Sequence, residues 1–298
     1  MQNRILANLA LFTTALIWGL SFVAQRAGME YIGPFTFNMT RCVLGGLSLV
    51  PVIIWVKVST PDKRTERRKH LQHINLVRAG LACGLALFFA MTVQQYCMKF
   101  VGAGKAGFIS ALYVIFVPII SILSGSRLKK NVVISVMLAL FGLYLLCYKP
   151  ASGFNVYDLM LLLSAFLYAV HIMVVNYYSR MVNPVKMSCF QFFTVGILSA
   201  SLVLLFEHPN IDAIIACKTP ILFAGILTCG VAYTLQIYGQ KYTLPVIASL
   251  IFSLESVFAV LGGALILGEV LTVKETLGCL FMISGVILSN LKLEKKGK

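Results

Sequence analysis

Apolar residues fall into ten long blocks along the chain, and polar connectors separate the blocks. A helix of about 20 apolar residues crosses the roughly 30 Å hydrocarbon layer of a bilayer, and most of the blocks have about that length. The pattern therefore predicts ten membrane-spanning helices, named here spans 1 to 10. The one long connector covers residues 58–75. The predicted spans cover residues 5–25, 35–57, 76–99, 103–124, 131–148, 157–179, 187–206, 219–240, 244–267 and 275–291.

The composition agrees with a chain that is embedded in lipid. Of the 298 residues, 59% are hydrophobic and 12% are charged, whereas soluble domains are about 45–50% apolar and about 25% charged. These values argue against a soluble enzyme, a nucleic-acid-binding protein and a disordered scaffold, and they predict an all-α integral membrane protein. The first apolar block is too long for a cleaved signal and nine others follow it, so we expect it to be retained as span 1.

The distribution of basic residues predicts the orientation of the spans. If the N-terminus is cytoplasmic, 18 of the 25 Lys and Arg residues lie on the cytoplasmic side, 6 lie on the opposite side, and Arg41 lies within span 2. Cytoplasmic loops of membrane proteins carry such an excess of Lys and Arg. We therefore expect a multi-pass protein of the cell membrane with both termini in the cytoplasm. The net charge of +15 then reflects topology, and no nucleic-acid partner is expected.

The two halves of the sequence resemble each other. At an offset of 150 residues, Trp18 aligns with Tyr168 and Pro34 aligns with Pro184. At an offset of 142 residues, five of the eleven positions of AMTVQQYCMKF, which starts at residue 90, are identical to those of AYTLQIYGQKY. The matching positions include Gln, Tyr and Lys, which chance similarity between apolar helices does not explain.

This repeat predicts a first five-span unit over residues 1–148 and a second over 149–298. Because five is an odd number, the second unit enters the membrane from the opposite side. Inverted repeats of this kind underlie many secondary transporters, which bind their substrate near the midplane between the two halves. We therefore expect the ten spans to surround a central cavity.

The sequence resembles the EamA-type, ten-helix members of the drug/metabolite transporter superfamily. The resemblance rests on Trp18-Gly19, Arg41, Pro118 and the run SLESVFAVLGGALILGEVLT at 253–272, and it extends over nearly the whole chain. It implies an exporter or facilitator of small metabolites, including amino acids. Within span 4, we expect Pro118 to bend the helix.

Polar and aromatic side chains on helical faces within the spans are the candidate pathway residues. A stripe of such residues would be unfavourable against lipid, so it should face protein or a cavity. Spans 1 and 6 carry such stripes at matched positions, and span 2 carries another. Spans 3 and 8 each carry a Gln-x-Tyr pair, one near the outer side of the membrane and one near the inner side. This placement is expected for two gates that are related by symmetry. The candidate substrate-binding residues are Trp18, Ser21, Asn38, Arg41, Gln94, Tyr96, Tyr113, Tyr168, His171, Gln236, Tyr238 and Glu255.

Among these candidates, two charged residues lie within the predicted spans. Counting from the start of span 9 places Glu255 roughly 16 Å into the membrane, where an ionised acid needs a partner, water or a proton. It either binds a substrate amine, takes up a coupling proton, or forms a structural hydrogen bond, and Tyr113 is its repeat mate across the site. Arg41 lies roughly 9 Å inside the outer end of span 2, where the span begins. It either attracts a substrate carboxylate or extends towards the lipid headgroups.

Other classes of function have little support in the sequence. The eight cysteines are isolated and have no metal-ligand spacing, so we expect no metal or cofactor site. Motifs for an intramembrane enzyme, such as HExxH, and a nucleotide-binding P-loop do not occur. A channel and a non-transporting membrane protein remain alternatives. The sequence favours a secondary transporter and not an enzyme. We expect it to move small organic metabolites, such as amino acids or related amphipathic compounds, across the bilayer by alternating access. Proton coupling is a further hypothesis.

Overall fold

The described part of the chain folds into helices and connecting turns. The computed structural model describes residues 2–59, 66–147, 155–267 and 272–291, and no β-strand occurs within these ranges. Nine helical segments of this described part are long and apolar enough to cross a membrane, and the shorter apolar helix Lys130–Leu146 makes the tenth. The predicted all-α architecture with ten spans is confirmed. The predicted boundary between the two units, at 148/149, and residues 268–271 of the family-like run lie outside the described residues.

Three of the ten spans are built from more than one helical piece. The spans consist of Gln2–Gly28 (span 1), Pro34–Ser59 (span 2), Glu66–Cys97 (span 3), Ala103–Ala111 with Tyr113–Leu123 (span 4), Lys130–Cys147 (span 5), Val156–Tyr178 (span 6), Pro184–Phe206 (span 7), Lys218–Leu222, the π-helix Phe223–Ala232 and Tyr233–Tyr242 (span 8), Pro245–Phe252 with Glu255–Leu267 (span 9) and Val273–Asn290 (span 10).

Local structure differs from the sequence prediction at three places. Span 3 begins at Glu66, so the second half of the predicted 58–75 connector continues this helix. A short additional helix, Ile211–Ala216, precedes span 8. Span 4 is interrupted at Leu112 and not at Pro118, which lies inside the following helix. The predicted bend at Pro118 stays a prediction.

The contacts between the spans follow the repeat. Spans 2 and 7, spans 4 and 9, and spans 5 and 10 pack against each other as pairs of repeat mates. Span 1 packs on span 8 as span 6 packs on span 3. Equivalent hydrogen bonds cross these last two interfaces: Thr14 Oγ1 donates to the carbonyl of Ala232 over 3.0 Å, and Ser164 Oγ donates to the carbonyl of Ala90 over 2.9 Å. These donors are 150 residues apart and the acceptors 142, as expected for one five-span unit used twice in inverted orientation.

The two sides of the bundle are named here by the residues that lie on them. The Asn8 side-chain amide donates to Asn290 Oδ1 over 3.0 Å, so span 1 begins and span 10 ends on one side, the termini side. On the opposite side, called the far side, the Arg26 guanidinium donates to the carbonyl of Met98 over 2.6 Å and joins the ends of spans 1 and 3. Both ends of the ten-span bundle therefore lie on the same side.

Side chains are distributed as a lipid environment requires. Large apolar side chains are exposed on the outside of the bundle, with Leu123 and Leu204 more than four-fifths exposed. Polar side chains such as Gln95, Gln191 and Gln240 are fully buried inside it. Because lipid offers no hydrogen-bond partners, this arrangement places the polar groups where other protein groups or water can reach them.

Two glycines allow spans 5 and 10 to pack closely, and their substitution gives a test of this interface. A Cβ atom on Gly142 would lie 2.6 Å from the carbonyl oxygen of Gly278, whereas nothing lies within 4 Å of a Cβ atom on Gly104. We expect Gly142→Ala to force the helices apart and lower the free energy of unfolding in mixed micelles by about 1–3 kcal/mol. Gly104→Ala should leave it unchanged or raise it slightly. Equal effects of the two substitutions would contradict this packing.

Candidate functional site

The centre of the bundle is built from the two interrupted spans. Span 4 tightens by one residue at Leu112, whose N–H donates to the carbonyl of Ile109 over 3.2 Å, and span 9 tightens in the same way at Leu254, whose N–H donates to the carbonyl of Ile251 over 3.2 Å. Each of these tight turns, where the backbone stays in the helical region, is called a break here. Tyr113 and Glu255 are repeat mates, so both spans break at equivalent positions. The Tyr113 hydroxyl donates to Glu255 Oε1 over 3.0 Å, and both side chains are buried. A hydrogen bond between repeat mates places this pair on the pseudo-twofold axis that relates the two units.

Span 1 reaches this centre because it carries a glycine there. A Cβ atom on Gly19 would lie 2.5 Å from the carbonyl oxygen of Glu255. Only a residue without a side chain allows the two backbones to approach so closely. The Trp18-Gly19 pair therefore positions an indole ring beside the break in span 9.

A small cavity surrounds the Tyr113–Glu255 pair. Its volume of about 30 Å³ is enough for one or two water molecules, and an organic solute of metabolite size needs several times more. The binding of such a solute therefore requires the spans to move apart. The cavity is lined by Trp18, Ser21, Phe22, Gln25, Arg41, Gln94, Ser110, Tyr113, Tyr168, Thr228, Tyr233 and Glu255.

Aromatic rings close the cavity towards the termini side. The Trp18 ring packs on Tyr233 and Phe252, with ring centroids 4.8 and 5.1 Å apart. Tyr233 in turn packs edge-on against Phe192 at 5.3 Å. These rings come from spans 1, 7, 8 and 9. The resulting plug is apolar, and a polar solute cannot pass it while the rings remain packed.

A hydrogen-bonded polar wall lines the cavity towards the far side. The Tyr168 hydroxyl donates to Gln94 Oε1 over 2.8 Å, and the Gln94 amide donates to Ser110 Oγ over 2.8 Å. The Gln25 amide donates to Ser21 Oγ over 3.0 Å. Gln25 and Gln94 lie three residues before the far ends of spans 1 and 3. The cavity therefore extends from the centre of the bundle towards the far side.

Arg41 contributes a buried positive charge to the cavity. Only 1% of its surface is exposed, and its guanidinium donates twice to Asn38 Oδ1, over 3.0 and 2.7 Å. It also lies above the ring of Phe37, 5.4 Å from the centroid. Among the described residues, no carboxylate lies within 4 Å of the Arg41 guanidinium, and no basic group lies within 4 Å of the Glu255 carboxyl group. The cavity therefore has one cationic and one acidic group that are not paired with each other.

Three polar atoms of the lining have no hydrogen-bond partner among the described residues. They are the indole nitrogen of Trp18, Oε1 of Gln25 and the hydroxyl of Thr228. An unpaired buried polar group costs about 1–3 kcal/mol. The lining therefore offers one donor, one acceptor and one hydroxyl group to a molecule that enters the cavity.

Seven of the twelve residues predicted from the sequence line this cavity, and the structure places the other five elsewhere. Asn38 lies behind the cavity and holds Arg41. Tyr96 lines a separate depression of about 430 Å³ on the far side. His171 contacts Gln191 Oε1 at 3.3 Å, the Gln236 amide donates to Gln240 Oε1 over 3.0 Å, and Tyr238 packs against Tyr242. The seven lining residues are Trp18, Ser21, Arg41, Gln94, Tyr113, Tyr168 and Glu255.

Five lining residues were not among the predicted site residues. Gln25 lies on the same helical face as Trp18 and Ser21, so the sequence did contain a signal for it. Thr228 could not be found by counting along an α-helix, because it lies in the π-helix Phe223–Ala232. Tyr233 lies three residues before Gln236 in the α-helix Tyr233–Tyr242, so this spacing was a signal for it. Phe22 and Ser110 had no signal that set them apart from ordinary packing residues. Within the described part of the chain, no group of three or more His, Cys, Asp or Glu residues is placed to hold a metal ion.

Comparisons with known proteins give consistent matches over the whole chain. The sequence profile described as the EamA-like transporter family matches twice, at residues 5–148 and 155–291. An uncharacterized transporter of Archaeoglobus fulgidus is 31% identical over 98% of this chain and 88% of its own length. The uncharacterized transporter YoaV of Bacillus subtilis is 23% identical over 97% of this chain and 98% of its own length. A solved crystal structure that is 18% identical, and therefore informative about the fold alone, superposes with a TM-score of 0.75 over 96% of this chain and 97% of that chain.

The hydrogen bond on the pseudo-twofold axis can be tested by stability measurements. We expect Tyr113→Phe to lower the free energy of unfolding by about 1–3 kcal/mol, because the buried carboxyl group of Glu255 loses its hydrogen-bond donor. Tyr238→Phe is a matched control, since it removes a hydroxyl group with no hydrogen bond in the described structure. If both variants unfold at the same denaturant concentration as the parent chain, the bond does not stabilise the site.

Proposed function

Because the chain belongs to the EamA-like transporter family, we propose that it is a secondary transporter that carries a small organic solute across the membrane by alternating access. The solutes that suit the site are amino acids and related amphipathic metabolites. The proposal includes export or facilitated passage out of the cell, since both are typical of the proteins that this sequence resembles.

One observation carries the proposal. A buried guanidinium group, Arg41, and a buried carboxyl group, Glu255, line the same cavity without pairing with each other. Isolated charges inside a membrane protein are unfavourable and mark substrate or ion pathways. A zwitterion provides a carboxylate for Arg41 and an ammonium group for Glu255, and the rings of Trp18, Tyr113 and Tyr233 suit its apolar part.

The carboxyl group of Glu255 has two functional roles in this proposal. It binds the ammonium group of the solute, or it takes up a proton that is moved together with or against the solute. Its position in the lining of the central cavity supports both roles, because ionisable residues at membrane depth face cavities and mark substrate or ion pathways. Tyr113 then serves as the donor that orients the carboxyl group.

The closed end of the cavity favours a transporter over a channel. A channel needs a continuous open path, whereas the rings of Trp18, Tyr233 and Phe252 are packed together on the termini side. The excess of basic residues on the termini side supports the proposal that both ends of the chain are cytoplasmic. The far side, towards which the cavity extends, is then outside the cell.

Uptake into proteoliposomes tests the role of Glu255. We expect the parent chain to move at least one zwitterionic amino acid or amphipathic amine. Glu255→Gln keeps the acceptor for Tyr113 but cannot ionise, so it should reduce the flux at least tenfold and remove any response to an imposed pH gradient. Glu30→Gln, which changes an exposed acid outside the cavity, is the control. A Glu255→Gln protein that transports normally at every pH would remove Glu255 from the mechanism.

A comparison of substrates tests the role of Arg41. We expect Arg41→Gln to raise the KM of a carboxylate-bearing solute roughly tenfold or more, since a charge-assisted hydrogen bond is lost. The KM of the corresponding amine without a carboxylate should change little. The second unit carries Gln191 at the equivalent position, so the fold accommodates this side chain. Arg26→Gln, at the far end of span 1, serves as the control. Equal changes of KM for both solutes would show that Arg41 does not bind the carboxylate.

A further inference from the structure

The repeat relates the residues that line the cavity to a second set of residues. Trp18 and Tyr168 are repeat mates, and so are Tyr113 and Glu255, so these four lining residues map onto one another. The remaining polar lining residues of the far side do not. Ser21, Arg41 and Gln94 have the polar mates His171, Gln191 and Gln236, respectively, whereas Gln25 and Ser110 have the apolar mates Val175 and Phe252.

These three polar mates are buried inside the bundle in the described arrangement. His171, Gln191 and Gln236 are each at most 1% exposed. Nε2 of Gln191, Oε1 of Gln236 and the hydroxyl of the neighbouring Ser188 have no hydrogen-bond partner among the described residues. Three unpaired buried polar groups lower the stability of the folded protein, and they form no hydrogen bond that compensates for this cost. Their burial is explained if this part of the protein contacts water in another conformation.

The two span interfaces that flank the site differ in one hydrogen bond. Thr14 and Ser164 fix both interfaces in the same register. Four residues further along each helix, the Tyr168 hydroxyl donates to Gln94. At the equivalent place in the other interface, the indole nitrogen of Trp18 and Oε1 of Gln236 are both without a partner. The interface of spans 3 and 6 thus makes this hydrogen bond, whereas the interface of spans 1 and 8 has the donor and the acceptor for it but does not make it.

We infer that His171, Gln191 and Gln236 line the pathway in a second conformation, which opens to the termini side and places Trp18, Tyr113, Tyr168 and Glu255 at the bottom of its cavity. In that conformation Trp18 donates to Gln236, and the bond from Tyr168 to Gln94 is broken. The inference rests on the proposed alternating access, and it assigns the residues that line the pathway on the termini side of the aromatic plug.

Sided labelling of introduced cysteines tests the inference on the full-length chain. A charged, membrane-impermeant methanethiosulfonate is applied to the far side or to the termini side of oriented vesicles, and mass spectrometry locates the label. Ser21→Cys and His171→Cys are a matched pair of repeat mates, and Gln191→Cys is a second reporter in case His171→Cys does not fold. Ile197→Cys, on the lipid-exposed surface of span 7, is the control and should not react.

We expect Ser21→Cys to react from the far side only, and His171→Cys and Gln191→Cys to react from the termini side only. Adding Tyr168→Phe removes the bond to Gln94. It should raise the labelling rate at 171 and 191 and lower it at 21, each roughly two- to tenfold, as expected for the loss of one neutral hydrogen bond. Adding Trp18→Phe should shift the rates in the opposite direction.

The inference is overturned if His171→Cys and Gln191→Cys resist labelling from the termini side, with and without Tyr168→Phe, while Ser21→Cys reacts. It is also overturned if they react from the far side. Solute flux is measured in the same vesicles, which separates the two proposals. If position 21 is labelled from the far side and positions 171 and 191 from the termini side, but no solute crosses the membrane, the proposed transport function alone is contradicted. If a solute crosses the membrane without any labelling from the termini side, this inference alone is contradicted.

Discussion

A carboxyl group buried at membrane depth needs a hydrogen-bond donor, water or a proton. At the centre of this protein the hydrogen bond from Tyr113 to Glu255 supplies such a donor, and it joins spans 4 and 9 at their two breaks. The rest of the site is arranged around this contact. Gly19 lets span 1 approach the break in span 9, and the far-side wall of Tyr168, Gln94 and Ser110 lies beside the break in span 4. An acid at this depth is stable because a donor from the other unit is fixed against it.

The two units share a backbone arrangement but have different side chains at the site. The anchors at Thr14 and Ser164 and the paired packing of the spans are symmetric. The charges are not, since the mate of Arg41 is Gln191 and the mate of Glu255 is Tyr113. The symmetric scaffold therefore carries an asymmetric set of side chains, with one guanidinium group and one carboxyl group in the same cavity.

Much of the fold could be predicted from the sequence because its causes are local or periodic. The length of an apolar block sets the length of a span. The repeat offset of 142 residues identifies Tyr113 as the repeat mate of Glu255 from the sequence alone. The details that depend on three-dimensional packing could not be predicted. The break at Leu112, next to Tyr113 at the pseudo-twofold axis, had no local signal in the sequence. Thr228 lies in the π-helix of span 8 and lines the cavity, whereas Tyr96 lines a separate depression.

The central claim is that the two inverted units enclose a cavity that water and a solute enter. Of the two tryptophans, Trp55 is exposed on the outside of span 2 and Trp18 lines the cavity, so Trp55→Phe leaves one fluorophore in the site. The account predicts that acrylamide quenches the emission of Trp18 and that a transported solute prevents this quenching, with one saturable site per chain. If a solute that crosses the membrane leaves both the emission and the quenching of Trp18 unchanged, the solute does not pass between the two units and the account is wrong.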